Sequence, residues 1–291
     1  MTRSADALAS LRGRLAATST TAALDAEILL AQVLGTTRAA LAAAPGRTLA
    51  PSQAAMLESL ARRRMAGEPI AYLIGRREFW SLELEVTPDV LVPRPETELT
   101  VELALGVLAQ ASRPAVLDLG TGSGAIALAL ARERDDAAVT AVDASAAALA
   151  VAQRNARKLG IGNVRFLRGS WYEPVAGLRF EAIVSNPPYV AEDDPALAAL
   201  AHEPRLALVA DREGLGALAS VCSGARAHLW PGGSLILEHG TSQGAAVRGL
   251  MSDSGLIEIT THRDLASHER VSRGMAPPQA LELPLSQEGS R

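Results

Sequence analysis

The sequence predicts an α/β fold: a mostly parallel sheet covered on both faces, preceded by a small helical region and a β-hairpin. Three observations predict it. From about residue 97 onward, short apolar runs of strand type alternate with helical patterns. A glycine-rich turn, Gly120 to Gly124, directly follows the first of those runs. Before about residue 75, apolar positions recur only at helical spacing. The boundaries expected are therefore 1–75 for the helical N-terminal domain, 76–96 for a hairpin linker and 97–291 for the α/β domain.

In the first region, Leu24, Ile28, Leu30 and Leu34 lie on one helical stripe, and Gly35 supplies a stop. A second helix is expected over Ser52 to Met65, ended by Gly67. The pattern then changes. Glu78 to Val86 alternates apolar and polar residues, as a half-buried strand would. Pro88 and the proline-bracketed segment Leu91 to Glu96 follow, which marks a linker.

Seven strand-like runs come next: Ala115–Leu119, Ala138–Val142, Val164–Leu167, Ala182–Val184, Ser234–Leu237, Leu256–Thr261 and Arg270–Ser272. Helical patterns begin near Ser123 and Ser145. The last two runs are joined by a loop without a helix, which implies an antiparallel end to the sheet. The tail beyond Met275, with Pro277 and Pro278, reads as a poorly ordered terminus.

Composition excludes several classes. The chain has 291 residues, 48% of them apolar, enough for one large domain and a smaller one. A net charge of -4 argues against a general polyanion-binding surface. Lys158 is the single lysine, so the basic residues are almost all arginine, and Arg62 to Arg64 read as a solvated helix face. Cys222 stands alone and no Cys/His cluster has metal spacing, so neither disulfide nor metal is expected. No signal peptide and no membrane-spanning run is evident, and a cytoplasmic protein is expected.

Two motifs carry chemistry. Gly120-Thr121-Gly122-Ser123-Gly124 lies between a strand and a helix, where glycines permit positive φ and close approach of backbone to a ligand. Ser123 is placed to cap the helix that follows. Asp143 ends the next strand about 20 residues on, where a carboxylate accepts hydrogen bonds from ribose hydroxyls. These features mark a nucleoside-containing cofactor. Gly120, Gly122 and Ala125 also fit the dinucleotide fingerprint formally, so a nicotinamide cofactor stands as a rival. Asp118 inside the strand end favours S-adenosylmethionine, as does the second motif.

That motif is Asn186-Pro187-Pro188-Tyr189, directly after the run Ala182–Val184. In α/β sheets ligands bind beyond the carboxyl ends of strands. Both prolines lack a backbone N–H, and Pro188 forces Pro187 out of the helical region. A rigid turn with free carbonyls, an amide and an aromatic ring suits holding a planar NH2 group. A glutamine amide and the exocyclic amino group of a base are alike in this respect, so the motif leaves both open. A non-catalytic module that keeps the fold is the alternative from another class.

Taken together, the chain resembles the release-factor glutamine methyltransferases, the PrmC/HemK family. The resemblance runs through Asp25 to Leu30, Gly67 to Gly75, Glu78-Phe79-Trp80, Leu91 to Glu98, Asp118 to Gly124, Asn186 to Tyr189, Glu203-Pro204, Leu237 to Gly240 and Arg263-Asp264. It implies a seven-stranded, Rossmann-like class I methyltransferase domain behind a helical substrate-recognition domain. It implies methyl transfer from S-adenosylmethionine to the side-chain nitrogen (N5) of the glutamine in a release factor's Gly-Gly-Gln motif. Methylation of a ribosomal-protein glutamine or of a nucleic-acid amino group are the alternatives.

Carried over residue by residue, Gly120, Thr121, Gly122, Ser123, Gly124 and Asp143 would hold the cofactor. Trp171 would lie beside its adenine, and Asn186 would adjoin it. Asn186, Pro187, Pro188 and Tyr189 would hold the substrate. The Asn186 oxygen and the Pro187 carbonyl would accept the two amide N–H bonds, with Tyr189 packed on the amide plane. Glu96 and Glu98 are either part of a lid over the cofactor pocket or plain surface carboxylates. The expected partner is a release factor, with no membrane, nucleic acid or metal.

Overall fold

Helices open the chain: α1 (Ser4–Leu15), α2 (Ala22–Leu34), α3 (Arg38–Ala43), α4 (Pro51–Met65) and α5 (Ile70–Ile74). The structure, a computed structural model, describes residues 2–44 and 46–278. The helices close around Leu11, Leu15, Leu29, Leu30 and Leu60, all buried. Gly35 ends α2 in the left-handed conformation, where a Cβ would be strained. Arg64 is not on a solvated face. Its Nε donates to Asp25 Oδ2 at 2.7 Å, because Asp25 is buried and needs a counterion. Arg62 and Arg63 are exposed as the solvated-face reading has it, and Arg63 pairs with Glu68 at the surface.

The run Glu78 to Val86 is not one strand. It holds most of an antiparallel hairpin, β1 (Arg76–Phe79) and β2 (Leu82–Glu85), turning at Trp80 and Ser81. Both turn residues have positive φ, 51° and 58°, which matches the strand twist. Glu98 Oε1 accepts from Trp80 N and Glu78 Oε1 from Ser81 N, both at 2.9 Å, and these bonds hold the turn. Phe79 and Leu82 pair across the turn and, with Leu84, reach one core, so the phase of the apolar alternation shifts by one residue at the turn.

The α/β part follows in the order α6 (Glu98–Leu108), β3 (Ala115–Leu119), α7 (Ala125–Glu133), β4 (Ala138–Asp143), α8 (Ala146–Leu159), β5 (Val164–Arg168) and β6 (Phe180–Ser185). Then come the single turn α9 (Asp211–Gly214), α10 (Gly216–His228), β7 (Leu229–Glu238), α11 (Gly244–Asp253), β8 (Ile257–Arg263) and β9 (Glu269–Met275). The seven strands stand in the order β5-β4-β3-β6-β7-β9-β8. All neighbours pair in parallel except β9, which is antiparallel to β7 and β8, the antiparallel end the sequence implies.

Helices cover both faces. Val116, Val139 and Val184 pack with α6 and α7, while Leu117, Leu119 and Leu235 pack with α10 and α11. Order extends past Met275: Ala276 is buried and its N–H donates to the Gly233 carbonyl at 2.8 Å. The rest of the tail expected to be poorly ordered lies, from residue 279, outside the described residues.

The strand order positions the site. The chain enters the sheet at β3, runs outward through β4 and β5, and then crosses back to β6 on the other side of β3. Such a reversal opens a crevice at the carboxyl ends of the two central strands. Leu119 pairs with Ser185, so the next residues, Gly120 and Asn186, leave the sheet side by side. Ser185 Oγ donates to the Leu119 carbonyl at 2.7 Å and pins that relationship.

Candidate active site

A cleft of about 460 Å³ lies above this reversal, within the roughly 300–1,000 Å³ usual for small-molecule sites. Its floor is the glycine loop. Gly120, Gly122 and Gly124 have φ of 73°, 55° and 85°. A Cβ on Gly120 or Gly122 would meet nothing within 4 Å, so these two present bare backbone to open space. Gly124 differs. A Cβ there would come within 3.0 Å of Leu128 and 3.2 Å of Ala152, so this glycine lets α7 seat against α8.

One expectation for the loop is corrected. Gly124, not Ser123, is the N-cap of α7, and no side chain caps it. Ser123 is buried, and its carbonyl accepts from Asn155 Nδ2 at 3.0 Å, which fixes the loop to α8. Asp118 does not line the cleft. Wholly buried beneath the loop, it accepts from Thr121 Oγ1 at 2.6 Å and from Ala127 N at 3.2 Å. Burial pushes its carboxyl up to about 7, against the pull of those two bonds.

Asp143 ends β4 and lines the cleft. Its Oδ2 accepts from Gly122 N and its Oδ1 from Ser145 N, each at 2.8 Å. Burial raises its pKa, and the backbone bonds oppose the rise. Each carboxylate oxygen keeps a lone pair for a further donor. Ser145 caps α8, its Oγ accepting from Ala148 N at 3.1 Å. Trp171 also lines the cleft, held at φ 46°, and packs against the α10 side of the core.

At the other end stands the turn after β6. Asn186 and Pro188 line the cleft, and Pro187 is buried. Asn186 Nδ2 donates to Thr97 Oγ1 at 3.1 Å. Among the described residues, Asn186 Oδ1 and the Pro187 carbonyl accept no hydrogen bond. Tyr189 is turned away from the cleft. Its ring packs into the α10 side of the core, its hydroxyl donates to Glu238 Oε1 at 3.3 Å, and its carbonyl accepts from Gln243 Nε2 at 3.0 Å. Burial raises its pKa, so the phenol stays protonated.

The sequence reading missed Glu238 and Thr97. Glu238, at the end of β7, is 1% exposed, and burial pushes its carboxyl up to about 7. The Thr97 hydroxyl, Arg270 and Tyr189 all favour its charged form, while Oε2 has no hydrogen-bond partner. Both residues belong to segments that carry the family resemblance, Leu91 to Glu98 and Leu237 to Gly240, which was the available signal.

A wall of the cleft is formed by Arg94 with the segment around Pro204 and Leu206. Glu203 joins the two, pairing with Arg94 and accepting from Val92 N at 3.0 Å. Glu96 and Glu98 do not line the cleft. Glu96 is exposed, and Glu98 serves the hairpin turn. Chemically, the cleft joins an open glycine-lined floor and a carboxylate to Asn186, whose side-chain oxygen is unengaged. No His/Cys/Asp/Glu group suited to a metal occurs among the described residues, and none of their helices could cross a membrane.

Comparison with known proteins agrees with this geometry. Residues 96–211 match the methyltransferase small domain, and residues 6–75 match the PrmC N-terminal domain. A release factor glutamine methyltransferase of Burkholderia pseudomallei is 51% identical, over 88% of this chain and 92% of its own length. One of Yersinia pestis is 52% identical, over 86% and 91%. Among solved structures, a methyltransferase from Pyrococcus furiosus superposes with a TM-score of 0.51 at 18% identity, covering 76% of this chain and 99% of its own. That likeness is one of fold.

Proposed function

The chain belongs to the family of release factor glutamine methyltransferases, and from that premise we propose how its cleft performs the transfer. It is a methyltransferase acting on a release-factor glutamine. We infer that the methyl donor is S-adenosylmethionine and the acceptor is the N5 nitrogen of a Gly-Gly-Gln glutamine. The glycine floor, Asp143 and Trp171 fit that donor. Bare backbone at Gly120 and Gly122 admits the amino-acid portion, the Asp143 carboxylate takes ribose hydroxyls, and the Trp171 ring offers a flat face to adenine. When bound, this group supplies a methyl on a positively charged sulfur.

The chain's own contribution is positioning. An amide nitrogen is a poor nucleophile because its lone pair is shared with the carbonyl. Asn186 Oδ1 and the Pro187 carbonyl accept its two N–H bonds and turn the nitrogen toward the glycine floor. Pro187 and Pro188 donate nothing, so no N–H of theirs competes for those oxygens. Alignment of this kind supplies roughly 7–11 kcal/mol of a barrier in favourable cases. Tyr189 anchors the turn from behind, through Glu238 and Gln243.

One observation carries this assignment: Asn186, whose Oδ1 has no hydrogen-bond partner, lines the cleft and leaves the sheet beside Gly120 at its reversal. The helical residues 1–75 are proposed to read the release factor's surface away from the glutamine, with 76–96 as linker and 97–291 as the catalytic domain. A protein substrate of translation places the work in the cytoplasm.

The test is mass spectrometry of release factor incubated with the protein and S-adenosylmethionine, with any added methyl mapped by fragmentation. One methyl on the Gly-Gly-Gln glutamine is expected. Methyl only on a ribosomal protein or a nucleic acid would overturn the substrate. Asn186→Ala is expected to lower kcat roughly 10²-fold or more, as loss of an oriented transition-state partner does.

A further inference from the structure

We propose that Leu206, on the cleft wall, and Leu265, at the turn between β8 and β9, are two apolar anchors of a docking surface for the protein substrate. The surface rests on the reading above that the acceptor glutamine is carried by a protein.

Large apolar side chains are unfavourable to leave in water. Among the described residues, the two most exposed are Leu265, at 108%, and Leu206, at 66%. Both stand on one edge of the molecule. β9 is antiparallel to β7 and to β8, so β8 runs parallel with β7 and β6. The turn over residues 264–268 therefore leaves the sheet at the carboxyl ends of β6 and β7, the edge where Asn186 stands. Leu206 belongs to the segment between β6 and α9 and lines the cleft itself. Scattered singly, exposed leucines need no explanation. Here the two extremes share the edge that takes substrate.

Each leucine is presented by a braced segment. The Asp264 side chain is only 4% exposed, and its carboxylate accepts from Ala266 N and His268 N at 3.0 Å and from Arg270 Nε and Nη2 at 3.2 and 3.3 Å. The turn is thus inverted, with its carboxylate inside and its leucine outside. Arg270 O accepts from His239 N at 2.9 Å, in the loop whose Gln243 holds the Tyr189 carbonyl. On the wall, buried Glu203 pairs with Arg94 and accepts from Val92 N. Val190 N donates to Leu208 O at 2.9 Å and Ala210 N to Val190 O at 3.0 Å, which fastens the wall to the residue after Tyr189. Anchors held in place beforehand lose little freedom on binding. Because both are tied to the Asn186–Tyr189 turn, a partner seated on them is held in register with that turn.

Spacing selects the partner. Leu265 does not line the cleft, and its turn lies two to three strands from the end of β6, roughly 10–14 Å at ordinary strand spacing. The proposed site of the methyl donor, over β3 and β4, is on the other side of β6. A lone glutamine side chain at Asn186 is too short to span the distance; a folded protein with apolar surface around its glutamine does so. The helical N-terminal region meets α8 at the β4–β5 end, where Ala71 and Tyr72 pack with Ala148 and Val151. The Leu265 turn adds a contact at the opposite end of the sheet, so a protein substrate is gripped from both ends.

The test uses the full-length protein with release factor, reading kcat, KM, the dissociation constants of release factor and of S-adenosylmethionine, and the melting temperature. Leu265→Ser is expected to weaken release-factor binding and raise KM about 5-fold or more, as truncation of an interface anchor does. Its kcat and S-adenosylmethionine affinity should stay within about twofold, and its melting temperature within about 2 °C, as at an exposed site. Leu265→Met, which keeps apolar volume, should bind release factor as the wild type does. Leu206→Ser should weaken release-factor binding about as much as Leu265→Ser.

Release-factor affinity within about twofold of wild type in either serine variant would overturn the proposal, since a true anchor costs more than that. A loss of affinity matched by a lower melting temperature in Leu265→Ser would show a folding role and overturn it too. A wild-type protein that transfers no methyl to release factor would overturn the function read from the cleft, and the proposal with it. Unchanged affinity in variants of an active wild type overturns the proposal alone.

Discussion

Gln243 holds Tyr189 by the backbone: its Nε2 donates to the Tyr189 carbonyl at 3.0 Å while its Oε1 accepts from Gly240 N at 2.8 Å. One amide therefore clamps the far end of the Asn186–Tyr189 turn to the loop after β7. Gln243→Leu would leave a carbonyl and an N–H without partners, at about 1–3 kcal/mol for each if water does not reach them. A melting temperature lower by about 2 °C or more is expected, since 1 kcal/mol moves a large domain by about that much. Turnover should fall with it. Calorimetry and steady-state kinetics on the same preparation check both effects.

Gly214 guards the same carbonyl from the other side. A Cβ there would stand 2.3 Å from the Tyr189 oxygen and 2.9 Å from Gln243 Nε2, at a φ of +85°. Backbone is not free to yield as a side-chain tip is. Gly214→Ala is therefore expected to displace Tyr189 and lower kcat at least as much as Gln243→Leu does. The left-handed conformation adds about 1–2 kcal/mol of strain for an alanine. Combining the two changes should give less than the product of their separate effects on kcat, because both act on one oxygen.

Asp143 is expected to separate affinity from turnover. Replacing it by alanine removes the proposed ribose acceptor, and a hydrogen bond to a charged group is worth about 1.5–3 kcal/mol. Cofactor affinity should drop roughly 10- to 150-fold by isothermal titration, with kcat at saturating cofactor close to wild type. Some thermal stability should go too, since Gly122 N and Ser145 N lose their acceptor. Asp143→Asn keeps one acceptor oxygen and is expected to fall between.

The sheet and its order of elements were legible because both faces are covered, which makes β3 and β6 continuous apolar runs. Gly120 and Asn186 could be read as neighbours once the strands were placed, since each follows a central strand. The hairpin turn could not. Positive φ at Trp80 and Ser81 has no local marker such as Asn-Gly, and the bonds that hold it include one from Glu98, further along the chain. Ser123 was misplaced for a related reason: residue type named a helix cap, while Gly124 takes that position and Ser123 is buried. Thr97 and Asn186 are 89 residues apart, and no spacing rule links the residue after a linker to the residue after a strand. The direction of the Tyr189 ring was likewise set by Glu238 and the core, not by its own motif.

Two buried carboxyls give stability a dependence on pH. Asp118 and Glu238 are both raised to about 7 in the folded protein, from ordinary values of 3.8 and 4.5, chiefly by burial. Asp118 is faced by Thr121, the Ala127 N–H and Asp143; Glu238 by Thr97, Tyr189, Arg270 and Glu96. A carboxyl raised on folding binds its proton more tightly in the folded state. Its contribution is complete below the unfolded value and is lost as pH rises through about 7. Burial lowers His239 and His262 from 6.5, so these act oppositely, destabilising as pH falls below that value. The window in which the carboxyls dominate therefore runs from about pH 6.5 to 8, and the melting temperature should fall across it. Asp118→Asn and Glu238→Gln should each flatten that fall, and the double variant should flatten it further. A wild-type melting temperature that is level or rising from pH 6.5 to 8 would show that both groups stay ionised in the folded protein throughout.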